Sequence, residues 1–104
     1  MRTAYGPAKS AIIHLTKVLA IELAPFKITV NAIAPGYIKT EMVANLIESK
    51  KLNLKKICKR IPLQRIGTCE DVANLVEFLC SNKANYITGE TIVIDGGWLA
   101  YGYL

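Results

Sequence analysis

The chain has 104 residues, of which 52% are hydrophobic and 20% are charged, and its formal net charge is +5. This length suits one domain, and the high apolar content excludes a disordered chain. No run of about eighteen apolar residues occurs, which excludes a membrane-spanning helix, and the first residues lack the apolar core of a signal peptide. Three scattered cysteines with no CxxC pair predict reduced thiols, no metal site and a cytoplasmic location.

The first predicted element is a long amphipathic helix that begins near Tyr5 and ends before Pro25. Its apolar residues recur at steps of three and four: Ala8, Ala11, Ile12, Leu15, Leu19 and Leu23. Tyr5 and Lys9 stand four residues apart and therefore share one face of this helix. A nearby ammonium group favours the phenolate form of a tyrosine, which makes Tyr5 a candidate general acid or base. The alternative is a solvated pair without a function, because this spacing also arises by chance.

A short strand is predicted next, over residues 28–33, because the segment is β-branched and mostly apolar. We expect it to be buried on both faces, as strands of parallel sheets are. The sequence Ala34-Pro35-Gly36 then predicts a break at the end of the strand. One charged helix is predicted over residues 41–60, and an irregular linker over residues 61–67.

Six of the thirteen basic residues are concentrated in this predicted helix: Lys50, Lys51, Lys55, Lys56, Lys59 and Arg60. Such a cluster has two interpretations, a patch that binds anions or nucleic acid, or the solvated face of an amphipathic helix. Apolar residues recur between the lysines, and no aromatic residue is interleaved to stack on bases. The solvated face is therefore favoured, and no nucleic-acid partner is expected.

The last predicted elements are a helix and a strand. Thr68 and Asp71 have the spacing of a capping box, with Asp in place of Glu, and the helix they open ends near Ser81. The strand covers residues 91–95, and an aromatic and apolar tail follows over residues 98–104. The alternation of helices and strands is typical of an α/β fold with parallel strands. Because two strands make too little sheet, the sequence predicts the end of a larger fold.

Four motifs in this order resemble the short-chain dehydrogenase/reductase family, and they extend over nearly the whole chain. They are Tyr5-Gly6-Pro7-Ala8-Lys9-Ser10-Ala11, then Asn31-Ala32-Ile33-Ala34-Pro35-Gly36 with Thr40, then Gly67 with Glu70-Asp71-Val72-Ala73, and finally Ile87-Thr88-Gly89 with Asp95-Gly96-Gly97. The resemblance implies an α/β fold class, specifically the C-terminal portion of a Rossmann-like doubly wound parallel sheet with its last two strands and their helices. Residues 1–104 would then form the C-terminal segment of one oxidoreductase domain, with residues 41–61 as a helical lobe over the substrate.

The resemblance also implies roles for individual residues. Tyr5 matches the catalytic acid or base, and Lys9 matches its partner, which lowers the pKa of the phenol and binds the nicotinamide ribose. Pro35-Gly36 matches the turn against the nicotinamide, while Ile38 and Thr40 match positions whose backbone and hydroxyl groups hold that end of the cofactor. The implied cofactor is NAD or NADP, and the sequence does not discriminate between them.

One departure from the family is that its glycine-rich pyrophosphate turn and its catalytic serine, both upstream of the tyrosine, do not occur in these 104 residues. The sequence therefore predicts that the N-terminal nucleotide-binding half is absent and that the chain alone is inactive.

Three functions follow from the sequence. The first is an NAD(P)-dependent oxidoreductase that interconverts a secondary alcohol and a ketone, similar to 3-oxoacyl-carrier-protein reductases or sugar-acid dehydrogenases. It would act on a small-molecule substrate, as a homo-oligomer or together with a complementary N-terminal segment. The second is a non-catalytic module that binds itself or a partner. The third, a basic anion-binding peptide, rests on the lysine cluster alone.

Overall fold

The computed structural model describes residues 3–101 of the chain, which contain four α-helices and two β-strands. The last three residues of the predicted tail, 102–104, lie outside the described residues, as do residues 1 and 2. The elements are α1 (Tyr5–Leu23), β1 (Ala32–Pro35), α2 (Glu41–Glu48), α3 (Leu54–Arg60), α4 (Cys69–Cys80) and β2 (Thr91–Ile94), with single 3₁₀ turns at Ala24–Phe26 and Asn82–Ala84.

The two strands form a parallel sheet, which confirms the α/β prediction. The N–H of Ala32 donates to the carbonyl of Glu90 at 2.8 Å, and the N–H of Gly36 donates to the carbonyl of Ile94 at 3.0 Å. Both strands thus advance four residues between these bonds, as parallel neighbours do. Because alternate residues face the partner strand, the position of Pro35, which has no N–H, faces away from β2.

The prediction of the first strand is wrong in position and in burial. β1 begins at Ala32 rather than at Ile28 and includes Pro35, which the sequence placed in the break. Before Ala32 the backbone bonds with a loop: the Val30 N–H donates to the Thr88 hydroxyl at 3.1 Å, and the Val30 carbonyl accepts from Gly89 at 2.7 Å. No residue of β1 or β2 is fully buried, because a sheet of two strands has no interior strand.

The chain divides into two compact units, and the first combines residues 3–33 with residues 77–92. Its buried residues are Thr16 and Ala20 on α1, together with Ala84. Asn31 connects the two stretches of chain, since its Nδ2 donates to the Ile87 carbonyl at 2.8 Å and its Oδ1 accepts from the Glu90 N–H at 3.2 Å. Through these bonds the side chain of Asn31 holds the backbone on both sides of residues 88 and 89.

The second unit combines residues 34–76 with residues 93–101 of the described chain. The prediction of one helix over residues 41–60 is wrong, since α2 ends at Glu48 and α3 begins at Leu54. Lys50 has a left-handed backbone with φ 57°, which ends α2, and the Asn53 side chain accepts from the Lys56 N–H at 2.9 Å. The N-cap preference of asparagine is the signal that separates the two helices.

The start of α4 confirms the predicted capping box. The Asp71 N–H donates to the Thr68 hydroxyl at 3.1 Å, and the Thr68 N–H donates to the Asp71 carboxylate at 2.7 Å. The helix ends at Cys80, as predicted. In the linker before it, Ile61 is the largest fully buried side chain, 2% exposed. No helix within residues 3–101 combines the length and the apolar character needed to cross a membrane.

Candidate active site

Tyr5 and Lys9 lie in the first two turns of α1, in the first unit. The Lys9 ammonium nitrogen is 5.4 Å from the centroid of the Tyr5 ring, so the two side chains share one helix face as the sequence predicts. The ammonium lies over the ring, where the ring quadrupole attracts it. Within residues 3–101, no hydrogen bond joins the Tyr5 hydroxyl to Lys9, and the tyrosine side chain is 64% exposed. The phenol is therefore open to a substrate or to solvent.

Pro7 lies between these two residues without disturbing the helix. A residue in the first turn of a helix has no intrahelical partner for its N–H, so the missing N–H of proline costs nothing there. The following Ala8 N–H donates to the Ala4 carbonyl at 3.2 Å, which closes the first turn. The helix thus begins at Tyr5 and fixes the spacing from Tyr5 to Lys9.

Pro35, Gly36, Ile38 and Thr40 lie at the carboxyl end of β1, where ligands bind in parallel α/β sheets. Gly36 packs directly against the backbone that follows β2. A Cβ at Gly36 would be 2.8 Å from the Cβ of Asp95 and 2.9 Å from its Cα. Only glycine fits at this close approach, so packing against Asp95 requires the glycine of the motif.

Ile38 and Gly67 form an isolated parallel bridge beside this turn. The Gly67 N–H donates to the Tyr37 carbonyl, and the Lys39 N–H donates to the Gly67 carbonyl, both at 2.8 Å. The Ile38 N–H faces away from this bridge and has no acceptor within residues 3–101. It is therefore available as a donor to a ligand.

Thr40 is the N-cap of α2, since its hydroxyl oxygen accepts from the Val43 N–H at 3.3 Å. A threonine hydroxyl has one proton to donate in addition to its acceptor lone pairs. The capping bond therefore leaves the Thr40 hydroxyl able to donate to a ligand. Both functions need a hydroxyl at this position.

A cavity of about 330 Å³ lies in the second unit, next to this turn. Its lining includes Tyr37, Arg65, Asn74 and Asp95, none of which sequence reasoning assigned to a site. The signal for Arg65 and Asn74 was weak, because each is a lone polar residue in the sequence. Tyr37 directly follows the Pro35-Gly36 motif, and this position could have indicated that it lies at the site.

Arg65 and Asp71 form a bidentate ion pair at one side of the cavity, with Nη1 to Oδ2 at 2.7 Å and Nη2 to Oδ1 at 3.0 Å. The hydrogen bonds from Arg65 hold the pKa of the Asp71 carboxyl well below its usual range, and the Thr68 N–H lowers it further. The same hydrogen bonds raise the pKa of Arg65. Both charges thus persist at neutral pH and neutralise each other.

The motif Asp95-Gly96-Gly97 forms a turn. The two carboxylate oxygens of Asp95 accept from the N–H groups of Gly97 at 2.8 Å and Leu99 at 2.9 Å. Both glycines have positive φ, 67° and 92°, which side chains rarely tolerate. Because both carboxylate oxygens accept hydrogen bonds within the turn, Asp95 holds the chain beside Gly36.

Comparison with known proteins places these motifs in a family. Residues 1–99 match the family model described as enoyl-(acyl carrier protein) reductase. The chain belongs to the short-chain dehydrogenase/reductase family. This confirms the resemblance drawn from the four motifs and the expectation of an oxidoreductase family.

Three relatives illustrate the match. The chain is 52% identical over 93 residues to the 3-oxoacyl-(acyl-carrier-protein) reductase FabG of Aquifex aeolicus, covering 89% of this chain and 36% of that protein. It superposes with a TM-score of 0.84 on ElxO with NADP bound (44% identity, 92% of this chain and 39% of the other). The TM-score is also 0.84 for an Agrobacterium tumefaciens protein assigned as a 2-deoxy-D-gluconate 3-dehydrogenase, with bound NADP (46% identity, 93% and 39%). The chain thus spans a little over a third of these relatives.

Proposed function

We propose that this chain acts in an NAD(P)-dependent oxidoreductase that interconverts a secondary alcohol and a ketone. The observation that carries the proposal is the pairing of Tyr5 with Lys9 on one helix face, in a chain of an oxidoreductase family. The other motifs support it less directly, because packing and capping also explain them.

Tyr5 transfers the proton in this proposal. In the direction of reduction its hydroxyl donates a proton to the substrate oxygen as the carbonyl carbon is reduced, and in oxidation the phenolate removes a proton from the alcohol. Lys9 lies beside Tyr5 on the same helix face, with its ammonium nitrogen 5.4 Å from the centroid of the tyrosine ring. Lys9 also binds the nicotinamide ribose. Tyr5 is 64% exposed and is therefore open to a substrate.

The turn after β1 would hold the nicotinamide end of NAD or NADP, which supplies or accepts the hydride when bound. The donors present fit the amide and hydroxyl groups of this ligand: the Ile38 N–H, which has no acceptor within residues 3–101, and the hydroxyl proton of Thr40. Pro35 and Gly36 would form the apolar surface against the ring, since the glycine leaves the turn without a side chain. These residues support NAD and NADP equally.

Two substrate classes follow from the relatives. The FabG relative is by its name a reductase of 3-oxoacyl groups on a carrier protein, and the A. tumefaciens relative is by its assignment a sugar-acid dehydrogenase. Both act on a secondary alcohol or its ketone. Residues 41–61, which contain α2 and α3, would cover the substrate in either case.

We assign residues 1–104 to the C-terminal segment of one Rossmann-like domain. The glycine-rich pyrophosphate turn and the catalytic serine of the family would come from sequence outside these 104 residues or from a complementary chain. On this proposal the 104 residues alone catalyse no hydride transfer. Adding sequence that supplies the glycine-rich turn and the serine should restore hydride transfer.

The test is a panel of substrates with the protein that carries this chain. Oxidation of NADPH and NADH is followed by the nicotinamide absorbance, with a neutral 3-oxoacyl thioester of N-acetylcysteamine and with a 3-keto sugar acid. We expect turnover of one of the two ketones in the presence of the nucleotide-binding half. Absence of turnover with both, while the protein binds NADPH, would contradict the proposed function.

A second candidate function is partner binding, which one observation favours. α1 exposes apolar side chains along its length, among them Ile12, Leu15 and Ile21, the last 77% exposed. Exposed apolar surface of this extent is typical of a protein interface. Sedimentation of the unmodified protein and of the variant with Ile21→Glu and Leu15→Glu tests it. We expect the unmodified protein to sediment as an assembly heavier than one chain and the variant to dissociate. The same mass for both proteins would contradict this function.

A further inference from the structure

The Ile38 N–H, which we assign to the cofactor, belongs to the peptide group that joins Tyr37 to Ile38. This peptide is trans, so its C=O and its N–H point in opposite directions. The Tyr37 carbonyl accepts from the Gly67 N–H at 2.8 Å. That bond directs the Ile38 N–H away from Gly67, and a rotation of the Tyr37 backbone would turn the N–H with it. The direction of the donor therefore depends on how firmly Tyr37 is held.

The turn that carries this peptide lies at the surface of the second unit. Tyr37, Lys39 and Thr40 are exposed, so water competes for the backbone hydrogen bonds that hold the turn. Tyr37 also lines the cavity of about 330 Å³, which leaves open space beside its side chain. The backbone bonds alone thus leave Tyr37 room to move, and its ring needs a partner of its own.

Trp98 supplies that partner. The rings of Tyr37 and Trp98 meet edge to face with their centroids 5.2 Å apart, a geometry that the ring quadrupoles favour. The Arg60 guanidinium carbon lies 3.7 Å from the centroid of the Trp98 ring, so a cation covers one face of the indole. Arg60 is the last residue of α3. The stack therefore joins the end of α3 and the chain after β2 to the turn after β1.

The backbone around Trp98 is fixed more firmly than the turn that it supports. The Asp95 carboxylate accepts from the N–H groups on both sides of Trp98, those of Gly97 at 2.8 Å and Leu99 at 2.9 Å. A Cβ at Gly97 would lie 2.9 Å from the Cγ of Pro62, so this segment also packs closely on the linker before α4. Trp98 is half-buried. Its ring is thus a fixed support against which Tyr37 rests.

We infer that Trp98, braced by Arg60, is a positioning residue for the cofactor, because through the Tyr37 ring it fixes the direction of the Ile38 N–H. The inference rests on the proposed function, since the nicotinamide must bind at this turn. Trp98 acts on the ligand only through Tyr37. A hydrogen bond weakens steeply when its angle at the hydrogen falls below about 120°, so a small rotation of Tyr37 would lose the bond to the nicotinamide amide.

Calorimetric titration with the protein that carries this chain tests the inference. The first titrant is NADPH or NADH, whichever the unmodified protein binds. The second is the same nucleotide without its nicotinamide ring, which is ADP-ribose or, for NADPH, its 2′-phosphate. This second titrant lacks the amide that the Ile38 N–H would hold. A role confined to the nicotinamide end therefore changes the affinity for the first titrant alone.

Two variants weaken the stack, and each has a matched control. Trp98→Leu removes the indole, while Trp98→Phe keeps an aromatic ring at the same position. Arg60→Met removes the cation and keeps an unbranched side chain at an exposed position, so it tests the stack even where Trp98→Leu fails to fold. Lys59→Met removes one charge from the neighbouring exposed residue of α3, which is outside the stack. Binding of the nicotinamide-free nucleotide shows that each variant is folded.

We expect Trp98→Leu to bind the complete cofactor about tenfold more weakly, which corresponds to about 1.4 kcal/mol, close to the net value of one hydrogen bond. Arg60→Met should weaken it about threefold, as expected for the loss of an exposed cation–π contact. Trp98→Phe and Lys59→Met should stay within about twofold of the unmodified protein. All four variants should bind the nicotinamide-free nucleotide as the unmodified protein does.

The two titrants separate a positioning role from a structural one. Equal weakening of both titrants in Trp98→Leu would mean that Trp98 only supports the fold, which would overturn the inference. Unchanged cofactor binding in Trp98→Leu, or equal losses in Arg60→Met and Lys59→Met, would overturn it as well. In each of these cases the unmodified protein still binds the cofactor, so the proposed function stands. If the unmodified protein binds neither NADPH nor NADH, the proposed function fails and the inference fails with it.

Discussion

Replacing Gly36 by alanine tests the packing that holds the end of β1 against the chain after β2. The new Cβ would lie 2.8 Å from the Asp95 Cβ and 2.9 Å from the Asp95 Cα, and one of these is a backbone atom that cannot rotate away. Carbon atoms attract each other at about 3.5–4.0 Å, so the two segments must separate. That movement strains the hydrogen bond from the Gly36 N–H to the Ile94 carbonyl, now 3.0 Å long.

We expect this substitution to lower the free energy of unfolding by about 1–3 kcal/mol, the usual cost of an added group in a packed site. Because the chain spans a little over a third of its relatives, the whole domain is larger than these 104 residues, and in such a domain about 1 kcal/mol moves the melting temperature by roughly 2–4 °C. Urea unfolding followed by circular dichroism, with the protein that carries this chain, gives the free energy directly.

Two other glycines serve as controls. An alanine Cβ at Gly67 would clash only with the Cδ1 of Ile38, at 2.6 Å, which is the rotatable end of a side chain, while its other near atoms lie at an ordinary 3.7 Å. Gly67→Ala should therefore cost less than Gly36→Ala. Apart from its chain neighbours and its own helix backbone, nothing lies within 4 Å of a Cβ at Gly6, so Gly6→Ala creates no clash with another segment and should also cost less than Gly36→Ala. Equal stability of Gly36→Ala and the unmodified protein, or a larger loss for Gly67→Ala, would refute the packing argument.

Three more predictions concern side-chain hydrogen bonds. Asn31→Leu leaves two backbone groups without their partners and should cost about 1–3 kcal/mol in thermal unfolding, while an unchanged melting temperature would contradict the role of Asn31. Because the pKa of Asp71 is lower in the folded chain than in the unfolded one, its pairing with Arg65 stabilises above about pH 4 and is lost as the pH falls through the folded pKa. Asp71→Asn should therefore flatten the acid limb of stability against pH, and an unchanged slope would rule this out. Thr40→Val removes the cap, so it should lose about 1 kcal/mol of stability and should raise the KM for the cofactor. Thr40→Ser retains the hydroxyl and should leave the stability and the KM unchanged. A serine variant as impaired as the valine variant would argue against the role of the hydroxyl.

Much of the local structure could be predicted from the sequence, because periodicity and capping are local signals. The extent of α1, the capping box of Thr68 and Asp71 and the alternation of helix and strand all follow from residues close together in the chain. The break at Asn53 was missed because lysines and apolar residues keep a helical period on both sides of it. The start of β1 was missed because pairing with residue 90, far along the chain, decides where the ladder begins.

The candidate site could be predicted from the sequence less completely than the helices and strands. The face that Tyr5 shares with Lys9 follows from helical spacing alone, but the position of the ammonium over the ring depends on side-chain rotamers. The free N–H of Ile38 results from its bridge to Gly67, twenty-nine residues later. The stack of Arg60 on Trp98 joins residues that no local pattern connects.

The most direct test of the central claim compares two tyrosine variants of the protein that carries this chain, supplied with NADPH and the ketone that it reduces. Tyr5→Phe removes the proposed proton donor, and Tyr86→Phe is the matched control, since Tyr86 is 98% exposed and has no proposed role. We expect kcat to fall roughly 10²- to 10⁴-fold in Tyr5→Phe, with NADPH binding retained, and to stay unchanged in Tyr86→Phe. A Tyr5→Phe variant that keeps most of its kcat would contradict the assignment of Tyr5 as the acid and base.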